Sequence, residues 1–197
     1  MENLAIAVVT CDKYAHVWND WYYAFTEHWD IRCPVYWLGE TLESPDDDFI
    51  QIYHEAVEAD QWTLKLRTQL EQIPEDNVFI WLDDLIIQKS INVEFDALYK
   101  WFVKNDADAL RIMSRDSAAR YDFMGTVSDR TLYKLKSNSP YRVSFSPNFY
   151  RKSFLLDILQ VTESPWESEL FGSKRVDPKK NIYAYHIDGW YINKIVQ

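Results

Sequence analysis

Short apolar runs alternate along this chain with apolar stripes at helical spacing, and that order limits the fold more than any single motif does. The run 4-LAIAVVT-10 is nearly continuous, the pattern of a strand covered on both faces. In 16-HVWNDWYYAFTEHW-29, Trp18, Trp21, Tyr22, Phe25 and Trp29 recur at steps of three and four, which predicts an amphipathic helix. Strands follow at 34–39 and 49–53, separated by the acidic loop 43-ESPDDDF-49. A helix is predicted over 61–73, with Trp62, Leu66, Leu70 and Ile73 on one stripe, and then an apolar strand at 78-VFIWL-82. A helix over 93–104, capped by Asn92 and facing Phe95, Leu98 and Phe102 inward, leads to a strand at 107–113. This repeated alternation specifies an α/β fold with a mostly parallel central sheet flanked by helices.

Beyond Met113 the pattern loosens. Residues 114–140 are polar and predict a functional excursion, followed by a strand at 141-YRVSFS-146 and a helix over 152–160. Ser164-Pro165-Trp166-Glu167 combines an N-cap serine, proline at the first helical position and glutamate in capping-box position. The chain ends in an aromatic-rich segment, 181–196. With no repeat and no linker, 1–197 is expected to be one domain, regular over 1–113 and less regular over 114–197.

Composition narrows the classes. A formal charge of −10 gives no broad basic footprint for nucleic acid, although 129-DRTLYKLK-136 and 173-SKRVDPKK-180 leave a local one open. The N-terminal segment lacks the features of a secretory leader, and no run reaches the roughly 20 apolar residues of a membrane span. Cys11 and Cys33 are expected to be free buried thiols, and the chain reads as cytoplasmic.

In an open parallel sheet, ligands bind beyond the carboxyl ends of the strands. Asp83 and Asp84 stand at that end of 78–82, and 10-TCDKY-14 stands at the end of the first strand. Neighbouring strand residues point to opposite faces, so the two aspartates can cooperate only if the backbone turns there, one on a divalent cation and one on a hydroxyl. Lys65 and Arg67 on the preceding helix are candidate diphosphate or base contacts, against the alternative of ordinary surface charges. His186 shares a strand face with Asp188 and is either a metal ligand or a packing residue. The signatures G-x-x-x-x-G-K-[ST], G-x-G-x-x-G, Cys-x-x-Cys, His-Glu-x-x-His and G-x-S-x-G are all absent, so with four glycines phosphate must be held by metal and basic side chains.

Together, a first strand ending in Thr-x-Asp, the helix W-x-x-x-L-R-x-x-L (Trp62, Leu66, Arg67, Leu70), 78-VFIWLDDLII-87 and 164-SPWESELFGSKR-175 resemble the GT-A-type glycosyltransferases, in particular small bacterial and phage members. The resemblance spans Ala5 to Trp190. It implies a GT-A-like, Rossmann-like fold, with 1–113 binding a nucleoside-diphosphate sugar, a UDP-sugar above all, and 114–197 binding the acceptor and completing the metal shell. It places Thr10 and Asp12 near the nucleoside, Asp83 on ribose or sugar, and Asp84 with His186 on Mn²⁺ or Mg²⁺. Either aspartate remains open as the metal ligand, since the motif is Leu82-Asp83-Asp84 and not Asp-x-Asp. For an inverting reaction Glu167 and Glu169 are the candidate bases, Glu167 ahead because the resemblance favours the Trp-Glu pair, although Glu167 also fits the capping box of Ser164; a retaining reaction needs none. The acceptor implied is a glycan or, as for some related phage proteins, a hydroxylated base in DNA. A nucleotidyltransferase and a non-catalytic nucleotide- or sugar-binding module of the same fold are the alternatives.

Overall fold

The computed structural model describes residues 1–114, 120–159 and 162–194. Its first half follows the predicted alternation: β1 (Leu4–Val9), α1 (Ala15–His28), β2 (Val35–Gly39), β3 (Ile50–Tyr53), α2 (Trp62–Leu70), β4 (Asn77–Leu82), β5 (Leu85–Ile87), α3 (Asn92–Lys104) and β6 (Ala109–Met113). Then come β7 (Tyr121–Val127), β8 (Arg130–Leu135), β9 (Asn148–Arg151), α4 (Lys152–Ile158), β10 (Ile182–His186) and β11 (Tyr191–Asn193). Between α4 and β10 a helical segment runs through an α turn at Pro165–Glu167, a π turn at Ser168–Gly172 and an α turn at Ser173–Arg175.

Nine strands form one sheet in the order β3-β2-β1-β4-β9-β6-β10-β8-β7. From β3 to β4 all neighbours are parallel; β9 runs against β4 and β6, and β6 and β10 are again parallel. The carboxyl ends of β1, β2, β4, β6 and β10 therefore share one edge with the amino end of β9. Strand alternation divides the core. Leu4, Ile6 and Val8 of β1 face the aromatics of α1 and α3, whereas Ala5, Ala7 and Val9 pack with Leu66 and Leu70 of α2. On the first face Trp21 stacks on Phe25 at 4.9 Å and meets Trp37 and Trp81 edge-on, so most of the tryptophan lies in the core.

Several expectations need correction. Residues 141–146 form no strand; they lead into β9, which is antiparallel and makes the sheet mixed. The described part of the excursion over 114–140 contains the β7–β8 hairpin, turned by Ser128 and Asp129 with φ of 46° and 62°. Such a two-residue turn usually carries Asn-Gly or Asp-Gly, so Ser-Asp left it hidden. Asn92 begins α3 instead of capping it, and its side chain donates to the His28 carbonyl. The α-helix predicted over 61–73 is shorter, Trp62–Leu70, and is preceded by a 3₁₀ turn at Ala59–Gln61. The helix predicted over 152–160 ends at Ile158, and Gln160, Ile195 and Val196 lie outside the described residues. Both cysteines are free and half-buried, and burial pushes the Cys33 thiol up to about 11. Among the described residues no helix is long and apolar enough to cross a membrane.

Candidate active site

Thr10 follows β1, and Asp83 and Asp84 form the turn between β4 and β5, so the parallel pairing of β1 with β4 brings them to one edge. The regular strand stops at Leu82, and the turn frees the two aspartates from pointing to opposite faces. Asp83 is buried, 3% exposed; its Oδ2 accepts from the Thr10 hydroxyl and from the Trp18 indole N–H at 2.8 Å. Burial raises its carboxyl to about 7, against the opposing effect of these two donors. Asp84 differs. Its Oδ2 accepts from Asn193 at 3.0 Å, and its buried Oδ1 has no hydrogen-bond partner among the described residues. Burial also moves the Asp84 carboxyl upward. A buried carboxylate oxygen without a donor is costly and suits a cation.

Lys65 and Glu40 form a second buried unit. The Lys65 ammonium, 2% exposed, donates to Glu40 Oε1 at 2.6 Å and to the Thr10 carbonyl at 3.0 Å. Glu40 Oε2 accepts the Asp12 N–H at 3.0 Å, and the Asp12 carboxylate accepts from Thr41 and Leu42. Burial pushes the Asp12 carboxyl up, but the bonds from Thr41 and Leu42 and the charge of Lys65 together outweigh it and hold the group below the usual carboxylate range. Lys65 thus shapes the end of β1 and is bound to protein groups. Arg67 lies apart, on the outer face of α2, paired with Glu71 at 3.0 Å.

Sequence reasoning missed Glu40, Trp18 and Asn193. Glu40 ends β2 at the same sheet edge and was open to the rule that found Asp83. Trp18 was assigned to the core stripe of α1, where its ring does lie; only its N–H reaches the site. Asn193 arrives through the pairing of β11 with β5, which no local pattern announces.

His186 ends β10 on the same edge, and its Nε2 is buried without a hydrogen-bond partner among the described residues. Two strands, β9 and β6, separate β10 from β4, so the strand ends bearing His186 and Asp84 lie about 14 Å apart at ordinary strand spacing. Among the described residues no group of three His, Cys, Asp or Glu side chains is placed to hold a metal ion. Asp84 has the donor chemistry for a hard cation that takes one protein carboxylate and fills its shell from diphosphate oxygens and water.

The two glutamates separate sharply. Glu167 is exposed and closes the capping box, accepting from the Ser164 backbone N–H at 2.9 Å and hydroxyl at 2.7 Å, which lower its pKa. Glu169 lies in the π turn, half-buried, and accepts the Phe145 N–H at 2.7 Å. Burial raises its carboxyl, opposed by that bond, by Ser144 and by the nearby charge of Arg111. The loop before β9 that holds Glu169 reaches the same sheet edge, because Pro147 accepts from Ile112 N–H there. π turns often mark functional positions.

No protein-family model and no curated protein sequence matches the chain. Solved structures do. Staphylococcus aureus TarS 1–349 in complex with UDP aligns with a TM-score of 0.57 at 13% identity, over 93% of this chain and 60% of that one. TarS 1–349 in complex with UDP-GlcNAc gives 0.52 at 13% identity, over 93% and 58%. UTP-bound UGPase from Acinetobacter baumannii aligns at 0.63 and 7% identity, over 98% of this chain and 89% of that one. The chain thus spans about 60% of the TarS fragment. At these identities the likeness concerns the fold, which is GT-A-like: a mixed α/β sheet flanked by helices.

Proposed function

We propose that the chain transfers a sugar from a UDP-sugar to an acceptor hydroxyl at the edge formed by β1, β4 and the loop before β9. The observation that carries this reading is the division of labour at the β4–β5 turn. Asp83 is engaged by Thr10 and Trp18, while Asp84 keeps a buried oxygen with no hydrogen-bond donor among the described residues. In this reading Asp84 holds Mn²⁺ or Mg²⁺, which when bound offsets the negative charge developing on the departing diphosphate. Thr10, Asp12 and Asp83 form the wall toward nucleoside and sugar, and the Lys65–Glu40 pair keeps that wall in place. Glu169 takes the proton of the acceptor hydroxyl in an inverting transfer. Its raised pKa makes it a better base than a solvated carboxylate, and Glu167 caps the helix. The solved neighbours that carry UDP and UDP-GlcNAc support a nucleotide-sugar ligand.

Nucleotidyl transfer is the second reading, favoured by the nearly end-to-end alignment with UTP-bound UGPase. The segment 10-TCDKY-14 after β1, free of glycine, argues against a triphosphate cradle there. Product analysis separates the two. Incubation with a panel of UDP-sugars and Mn²⁺ is expected to release UDP when acceptor is supplied. Pyrophosphate released from UTP and a sugar 1-phosphate, with no UDP formed from any donor, would make the second reading the right one.

A further inference from the structure

Beside Glu169 the helical segment presents an exposed apolar surface, with the Lys174 ammonium over the Phe171 ring at 5.4 Å. Trp166 is 67% exposed, and Leu170 and Phe171 are each 45% exposed. Trp166 and Leu170 are four apart, and the wider π turn carries Phe171 toward the same side. Single exposed apolar residues are ordinary, but a contiguous set rimmed by polar groups marks a binding surface. The indole makes no ring contact or hydrogen bond among the described residues, whereas most other tryptophans pack against neighbouring rings. Its mount is rigid: Pro165 fixes the backbone before it, and the capping box of Ser164 and Glu167 brackets it. Glu163, which pairs with the Thr63 hydroxyl through its N–H at 2.9 Å, ties the same segment to α2.

We propose that Trp166, with Leu170 and Phe171, is the acceptor platform of the Glu169 site, and that its occupant is a neutral saccharide laying the C–H face of a pyranose on the indole. The proposal deepens the glycosyl-transfer reading and rests on it for the role of Glu169. An aromatic face is electron-rich, and the axial C–H groups of a pyranose form an apolar, slightly positive surface that matches it. Trp166 precedes Glu169 by three residues, at the junction of the α turn and the π turn, which sets the exposed ring close in the chain to the inward carboxylate; in this proposal a sugar on the ring presents a hydroxyl toward it.

Charge selects saccharide over DNA. Of the seven basic residues in the two stretches that kept DNA open, four are paired with acids within the fold. Arg130 pairs with Glu94, Lys136 with Asp122, Arg175 with Glu163 and Lys180 with Asp108. On the same helical segment Glu167 and Glu169 stand against Lys174, whose ammonium lies 5.4 Å from the Phe171 ring centroid, and the chain as a whole carries −10. A polyanion needs the opposite.

Protein labelled with fluorotryptophan, in the presence of Mn²⁺ and UDP and in their absence, tests this by fluorine NMR. Trp166→Phe assigns the Trp166 resonance. The probes are the methyl glycosides of glucose, galactose and N-acetylglucosamine, their β-linked disaccharides, and a single-stranded oligonucleotide containing hydroxymethyluracil. The Trp166 signal is expected to move saturably with at least one saccharide and to stay still with the oligonucleotide. A signal unmoved by every saccharide, or moved by the oligonucleotide, overturns the proposal. For any saccharide that acts as acceptor, Trp166→Ala is expected to raise its KM about tenfold or more, a loss of one aromatic contact, with a smaller change in kcat; an unchanged KM overturns the platform. UDP titration of the same samples separates the failures, since loss of UDP binding in the wild type strikes the glycosyl-transfer reading and leaves the fluorine result to decide the saccharide surface.

Discussion

Two regions of the molecule each carry a close pair of acids, and they solve the same problem in opposite ways. At the β4–β5 turn both carboxylates are withdrawn from water; Asp83 is satisfied by Thr10 and Trp18, and Asp84 retains an open oxygen. On the helical segment Glu167 lies in solvent, tied to Ser164, and Glu169 turns inward toward Phe145. The members of each pair have different partners: Asp83 accepts from the Thr10 and Trp18 side chains and Asp84 from Asn193, while Glu167 accepts from Ser164 and Glu169 from the Phe145 N–H. Proximity in sequence therefore says little about shared duty. Hydrogen-bond partners and burial assign the roles.

The largest effect is expected within the helical pair. If Glu169 is the base, Glu169→Gln should lower kcat by about 10² to 10⁴-fold, with UDP affinity retained. A turnover within a few-fold of wild type would break the division between the two glutamates. Because Glu169 is raised by burial, the acid limb of the kcat/KM profile should lie above the ordinary carboxylate range, with the rate rising as the group ionises.

The strand-end region depends on buried pairing, and its sensitivity should appear in stability. Lys65→Met leaves Glu40 buried without its cation and is expected to cost about 3–5 kcal/mol in chemical denaturation. A loss below about 1 kcal/mol, the usual value of a surface pair, would show that the pair is solvated.

Asp83 supplies a subtler test. Its carboxyl titrates near 3.8 when solvated and at about 7 in the fold, so the folded chain binds the extra proton between those values. Its contribution to stability is complete below about pH 4, declines as pH rises through that window and is flat above about 7, with a slope of at most about 1.4 kcal/mol per pH unit. Denaturation of metal-free protein across that range should show the decline, and Asp83→Asn should reduce it, leaving the part contributed by Asp84 and Glu169, which burial also raises. The same slope in the variant would assign the titration to another group.

The smallest effect belongs to Glu167→Gln. Glutamine keeps both capping-box hydrogen bonds, so melting temperature and turnover should stay close to wild type. A large fall in turnover with folding intact would move the base from Glu169 to Glu167.

How far the sequence alone reached can be judged from the same two regions. The continuous apolar run of β1 and the helical stripe of α1 were legible because burial on one or two faces writes itself into local periodicity. The capping box was legible because Ser, Pro and Glu occupy fixed offsets. The antiparallel β9 was not, since a four-residue strand after a serine-rich loop has too little periodicity to show direction. Within the site, the strand-end rule located Asp83 and Asp84, but their unequal environments depend on Trp18 and Asn193, which reach them from 65 and 109 residues away in sequence. The rule that β-strand ends gather ligands also put His186 on the correct edge, but only the sheet order reveals the two strands between it and Asp84.

Calorimetric titration of UDP into wild type and Asp84→Asn, with Mn²⁺ and with chelator, tests the core of this assignment most directly. If Asp84 holds the cation beneath a UDP-sugar diphosphate, wild type binds UDP in Mn²⁺ and loses most of that affinity in chelator, while Asp84→Asn binds weakly and equally in both. No UDP binding by the wild type in either condition, or equal metal dependence in the variant, would contradict it.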